Sequence, residues 1–385
     1  MPIRPGDARA LTETLVRVDS RNPTLVPGAP GETGCAHVLA EVLGGWGFRL
    51  EWQDVRDGRS NLLARIGTPD SAAPVLMFNG HLDVVGVEGM DHPPFSSVID
   101  GDRLYGRGSC DMKAGIAAMS VAAWQAAQRG IRGEIIIAAV IDEEFESLGT
   151  REMLARGTRA DVAIVTEPTR LSICPAHRGF VWLDFAFTGR AAHGSRYDLG
   201  VDAIQHAAQL LSALDRFQHD VLPSRTHVLL GRASLHASTI AGGVGWSTYP
   251  DACHLRVERR TVPGETSATV LAEIEQILSA LRANDSTFQV TVRIDTAQGP
   301  SDVAVDHPLV QRLDAANLAV RGLPAAIEGL SAWTDAALLN DAGIPAVCFG
   351  PGDIALAHAA TEYVPLSEID TATAVLTTFA LDWCS

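Results

Sequence analysis

The chain has 385 residues and a formal net charge of −16, with 46% hydrophobic and 20% charged residues. One core rarely grows beyond roughly 250–300 residues, so two globular domains are expected. The acidic balance, without any Lys/Arg-rich run, argues against nucleic acid or anionic membranes as partners, and no apolar stretch approaches the ~20 residues of a membrane span.

The opening stretch, "MPIRPGDARALTETLV", mixes charge into helical spacing and lacks the continuous apolar core of a secretory signal, so a cytoplasmic protein is expected. A helix is predicted from Pro5 to about Asp19, and a second over "GETGCAHVLAEVLGGWGF", stopped by Gly44 and Gly45. The short apolar runs "LLARIG" and "PVLMFNG" read as strands covered on both faces. A long Pro/Gly-punctuated loop then leads from "HLDVV" to "MKAGIAAMSVAAWQAAQRG", an Ala-rich helix closed by Gly130. "EIIIAAVIDEE" and "ADVAIVTEPT" are strands ending in acids, with a short helix at "REMLARG" between them. This alternation predicts an α/β fold, a mostly parallel sheet with helices on both faces.

The pattern changes near residue 179. "FVWLDFAFTG" alternates as a strand, "GVDAIQHAAQLLSALDRF" is an amphipathic helix, "ASLHASTIAGG" and "YPDACHLRVERR" are strands, "TSATVLAEIEQILSALRA" is a helix, and "FQVTVRIDTA" is a strand. The order β-α-β-β-α-β is that of a ferredoxin-like α+β domain, inserted over residues 179–297 between the two parts of the α/β domain, 1–178 and 298–385. Afterwards "HPLVQRLDAANLAVRG" resumes the helical theme, and "IPAVCFGPGD" is a buried strand.

In open α/β sheets reactive groups collect beyond the carboxyl ends of the strands. That filter selects His81 and Asp83, Asp111 in a glycine-flanked turn, Glu143 and Glu144, Glu167, and His358. His81 and Asp83 lie two residues apart, the spacing that lets a carboxylate orient a metal-binding imidazole. Two histidines with several carboxylates exceed the four ligands of one zinc and suit two divalent ions sharing a bridge, for which the short side chain of Asp111 is the natural candidate. Of Glu143 and Glu144, alternation lets one ligate a metal and the other face the attacking water as general base.

Other chemistries lack their motifs. No G-x-G-x-x-G, P-loop or G-x-S-x-G is complete, and Asp111 beside Cys110 opposes a thiolate there. The six cysteines, Cys35, Cys110, Cys174, Cys253, Cys348 and Cys384, form no C-x-x-C pair and read as reduced, mostly structural thiols.

The segments "GHLDVV", "YGRGSCDMKAG", "IDEEFESLGT", "TEPT", "AAHGS", "RRTVPGE" and "FGPGDIALAHAATEYV", in that order, resemble the M20 family of metallo-amidohydrolases and peptidases. The resemblance implies two ions, zinc with cobalt or manganese as substitutes. It makes His81, Asp111 and Glu167 the ligands of one, and Asp111, Glu144 and His358 those of the other. Glu143 becomes the general base and acid, and Asp83 the residue orienting His81. The inserted domain becomes a lid and homodimerisation surface, in which His193 stabilises the oxyanion and Arg260 grips the substrate carboxylate. Arg259, by alternation, is expected at the surface. Ser247 stands where many members have asparagine, Tyr197 where proline is common and Ala114 where glycine is frequent, and Ser247, Trp246 and Tyr197 are expected to shape the substrate pocket. The implied activity is hydrolysis of an N-acyl-L-amino acid, with a dipeptidase or carboxypeptidase, or a non-catalytic acyl-amino-acid-binding relative, as alternatives.

Overall fold

The computed structural model describes residues 3–68 and 73–385. In chain order its main elements are α1 (Ala8–Val16), α2 (Thr33–Gly45), β1 (Arg49–Arg56), β2 (Arg59–Gly67), β3 (Val75–His81), α3 (Ala114–Gln128), β4 (Glu134–Val140), α4 (Leu148–Ala155), β5 (Val162–Val165) and β6 (Ile173–His177). Then come β7 (Gly179–Thr188), α5 (Ala203–Asp220), β8 (Ser234–Gly242), β9 (Ala252–Thr261), α6 (Ser267–Asn284) and β10 (Gln289–Gln298). The chain closes with α7 (Pro308–Arg321), α8 (Ala336–Asp341), β11 (Ala346–Cys348) and α9 (Leu366–Trp383). It divides into two compact units. The first takes the chain up to Pro175 together with Val303–Glu328 and Thr334–Ser385, and the second takes Ala176–Asp302 with Gly329–Trp333.

In the first unit the sheet order is β1-β2-β4-β3-β5-β11-β6, and the central strands β4, β3, β5 and β11 run parallel. Residues of β3, β4 and β5 are buried on both faces, which is why these segments read as unbroken apolar runs. Leu76, Phe78, Ile135, Ile137 and Ile164 share one core with apolar residues of α1, α2, α3, α7 and α9. α3 is buried almost all round, and its alanines let α9 pack closely against it. Gly115 is required there, because a Cβ would fall 2.1 Å from the Thr166 carbonyl oxygen. The start of α3 thereby abuts the end of β5, while Ala114 beside it is accommodated without exposure.

Several elements carry no clear pattern in the sequence. β1, "RLEWQDVR", is an exposed edge strand without an apolar face. α9, "LSEIDTATAVLTTFALDW", is rich in threonine, a poor helix former, and Thr371, Thr373 and Thr377 turn their hydroxyls back onto carbonyls four residues earlier. The Pro/Gly-rich loop after β3 contains two short strands, Val98–Asp100 and Arg103–Tyr105, which form a small sheet with Tyr363–Pro365.

The second unit is an antiparallel sheet in the order β8-β9-β7-β10 with α5 and α6 packed on one face. Val181, Leu183, Phe185 and Phe187 of β7, and Cys253, Leu255 and Val257 of β9, point into that core with Leu210, Ile274 and Leu278 from the helices. Alternation leaves Phe180, Trp182, Asp184 and Arg260 on the other face.

Candidate active site

The parallel strands deliver the selected side chains to one end of the sheet. His81 is the last residue of β3, Glu143 and Glu144 lie in the turn after β4, and Glu167 follows β5 by two residues. Asp111 sits before α3 in extended backbone, φ −118° and ψ 95°. His358 lies in the long turn after β11, with φ 62°. The glutamate pair is in a turn rather than on the strand, so strand alternation does not decide which of the two faces a metal.

His81 Nε2 lies 3.0 Å from Asp111 Oδ1 and 3.9 Å from Glu167 Oε1. His358 Nε2 lies 2.9 Å from Glu144 Oε2 and 3.4 Å from Asp111 Oδ2. Asp111 therefore turns one oxygen to each histidine, as a bridging ligand must. Two sets of donor atoms come within 4.8 Å of one another: His81, Asp111 and Glu144, and His81, Glu143 and Glu167. Glu143 thus stands close enough to serve as ligand or as base, and geometry alone does not divide the two roles. His81, Asp111 and Glu167 are buried, whereas His358 is exposed at the rim.

Four carboxylates meet two imidazoles here. Burial pushes the carboxyls of Glu143 and Glu167 well up, with further upward push from their anionic neighbours, and Glu144 moves the same way. Burial alone would lower His81, but its bond to Asp111 and the surrounding carboxylates drive it well up. Asp111 is held below the usual carboxylate range because its contacts with His358 and His81 outweigh its burial. Such an excess of buried negative charge on nitrogen and oxygen donors fits divalent cations, which would neutralise it.

Behind the cluster lies a buried network built around Asp83, whose other members carry no signal in the sequence. The Asp83 carboxylate accepts the backbone N–H groups of Glu143 and Glu144, each at 3.2 Å, and Asn22 Nδ2 at 2.9 Å. His81 Nδ1 meets the Asp83 carbonyl oxygen at 2.9 Å, with the carboxylate at 3.6 Å, so the closer orienting contact comes from the main chain. Asn22 also reaches Asp142, whose Oδ1 accepts Arg59 at 2.9 Å, and Arg59 pairs with Glu32. Asn22, Glu32, Asp83 and Asp142 are completely buried. Asn22, Glu32 and Asp142 come from separate segments, so only their burial as polar residues in the folded chain identifies them. Cys110 is also buried, and its thiol is pushed well up by burial and by Glu362 and Asp111, which leaves it inert.

The remaining sequence candidates lie in the second unit. His193 is exposed, bridges Thr248 through the backbone, and holds the Ser195 hydroxyl to Nδ1 at 2.9 Å. The Gly194 N–H donates to the Ser247 carbonyl at 2.7 Å, so the His193 and Ser247 segments run side by side. Tyr197 and Trp246 are exposed near them in sequence. Arg260 lies on the open sheet face, paired with Glu258 and 5.5 Å from the centre of the Phe180 ring. Arg259 is a correction to the expectation of a surface residue. It is 1% exposed, because it continues the inward row of Cys253, Leu255 and Val257. There it pairs with Glu265 and donates to the Arg260 carbonyl.

The model of the family described as "Peptidase family M20/M25/M40" matches residues 77–382. An N-formyl-4-amino-5-aminomethyl-2-methylpyrimidine deformylase of Bacillus subtilis is 29% identical over 97% of this chain and 94% of its own. An acetylornithine deacetylase of Myxococcus xanthus is 30% identical over 88% of this chain and 89% of its own. Among solved structures, aminopeptidase PepT from Bacillus cereus superposes with a TM-score of 0.82 over 100% of both chains, at 18% identity.

Proposed function

The chain belongs to the M20 family of metallo-hydrolases, and from that premise we propose that it removes the acyl group of an N-acyl-L-amino acid by hydrolysing the amide bond. The observation that carries this reading is the cluster itself, with the carboxylate of Glu143 beside the His81, Asp111, Glu144 and Glu167 donors. The names of the two sequence relatives describe removal of an acyl group from nitrogen and support a deacylase over a peptidase. The peptidase neighbour, at 18% identity, speaks only for the fold.

In this reading His81, Asp111 and Glu167 hold one ion, and Asp111, Glu144 and His358 the other; zinc is the ion assigned, and cobalt or manganese suits the same donors. When bound, the ions supply Lewis-acid polarisation of the amide carbonyl and lower the pKa of a coordinated water. Glu143 takes a proton from the attacking water and returns it to the departing nitrogen, so that one carboxyl serves as base and then as acid. Arg260 offers a guanidinium fork for the substrate carboxylate, His193 a donor for the developing oxyanion, and Ser247 a polar group in the segment beside His193.

The test is free-amine release from N-formyl, N-acetyl, N-succinyl and longer N-acyl amino acids, with dipeptides alongside. Chelator-stripped protein is compared with protein given zinc, cobalt or manganese. Metal-dependent release from the N-acyl group of substrates is expected. Release from dipeptides alone would replace the deacylase reading with a peptidase, and a folded, metal-loaded protein inactive on all of them would overturn the reading.

A further inference from the structure

We propose that Glu362 and Arg107 are positioning residues that hold the Asp111 carboxylate in its bridging place and tie it to the His358 turn. The inference rests on the ligand assignment above and concerns residues given no role there. Glu362 is 0% exposed. Its Oε1 accepts the backbone N–H of Cys110 at 3.0 Å and that of Asp111 at 3.1 Å, and its Oε2 pairs with Arg107. Arg107, itself 3% exposed, donates its Nε to the Gly86 carbonyl at 2.9 Å. Main-chain contact reinforces the join, since the Gly106 N–H donates to the Glu362 carbonyl at 3.2 Å.

The physical need is clear at Asp111. Cys110 and Asp111 lie in the first turn of the helical segment that starts after Gly108, where backbone N–H groups have no intrahelical carbonyl to meet and would be buried without acceptors. One carboxylate oxygen satisfies both with charge-assisted bonds. Arg107 supplies a cation that offsets the burial of this carboxylate, and it anchors to Gly86 at the start of its own long loop. His358 lies four residues before Glu362 in the same segment, which then enters the small strand Tyr363–Pro365. The clamp therefore ties together two of the three groups assigned to the second ion. His81 ends a central strand and Glu167 follows another, so the first ion leans on the sheet for all but Asp111.

That asymmetry gives a signature which a merely structural role would not produce. Wild-type, Glu362→Gln and Arg107→Lys proteins are stripped of metal and titrated with zinc against a competing chelator, with the apo melting temperature recorded alongside. Wild type is expected to take up two ions. In Glu362→Gln both ions should weaken because they share Asp111, the second about 10–100-fold, the usual effect of removing a residue behind the ligands, and the first by clearly less because its other two ligands stand on the sheet. Arg107→Lys keeps the charge and loses the fork, so it should weaken the second ion by less; it carries the same test if Glu362→Gln does not fold. Equal weakening of both ions together with a lower apo melting temperature, or no weakening of either, would overturn the clamp. Failure of wild type to take up two ions would overturn the ligand assignment, and the clamp with it.

Discussion

Asp83 holds Glu143 from behind, accepting its backbone N–H on Oδ1 at 3.2 Å. The other oxygen takes the N–H of Glu144, and the Asp83 carbonyl meets His81. One residue thus orients a histidine and both glutamates of the cluster. Asp83→Asn would turn an NH2 group toward a backbone N–H, loosening that turn. A fall in kcat of about 10–100-fold with KM nearly unchanged is expected from steady-state kinetics on metal-loaded protein. An unchanged kcat would mean that the carboxylate is dispensable to the placement of Glu143.

Glu143→Gln separates the two roles that its position leaves open. As general base and acid, its loss should cost about 10²–10⁴-fold in turnover while metal analysis still finds two ions per chain. Loss of an ion together with activity would make Glu143 a ligand, consistent with its place beside His81 and Glu167.

How much of this was legible in the chain follows from what each residue does. His81, Asp111, Glu144, Glu167 and His358 stand out because polar groups follow apolar strands or occupy glycine-rich turns, and the structure does bring them together. The supports did not stand out, since Asn22, Glu32, Arg59 and Glu362 act through backbone groups and partners far away in sequence. Arg259 went astray for a related reason. Alternation correctly separates it from Arg260, but assigning the outer face to Arg259 ignored that Cys253, Leu255 and Val257 share its row. α9 was missed because its threonines hide the helical stripe that packs on α3.

Arg59 is a cation shared by two buried carboxylates, Glu32 and Asp142. Arg59→Met would leave both without it, and breaking a buried pair in this way costs about 3–5 kcal/mol. Burial already raises the Glu32 pKa against the pull of Arg59, and losing Arg59 raises it further. A carboxyl with a raised folded-state pKa weakens the fold above that pKa and ceases to do so once protonated. The deficit in melting temperature should therefore be largest at neutral and alkaline pH and shrink on acidification. A deficit that grows with acidification would contradict this account of the network.

His177 supplies the opposite sign. It is 2% exposed, Nδ1 meets the Arg178 carbonyl at 3.0 Å, and Nε2 has no partner among the described residues. Burial lowers its pKa from 6.5 to about 4. The unfolded chain thus binds a proton that the folded one refuses. Stability tied to this group is complete above the unfolded value and is lost as pH falls through the folded one, by about 3 kcal/mol in all. His177→Leu removes the titrating group, so its stability should fall less than that of wild type between pH 6.5 and about 4. Urea unfolding at a series of pH values would measure the difference, and parallel curves would show that His177 is not held neutral in the fold.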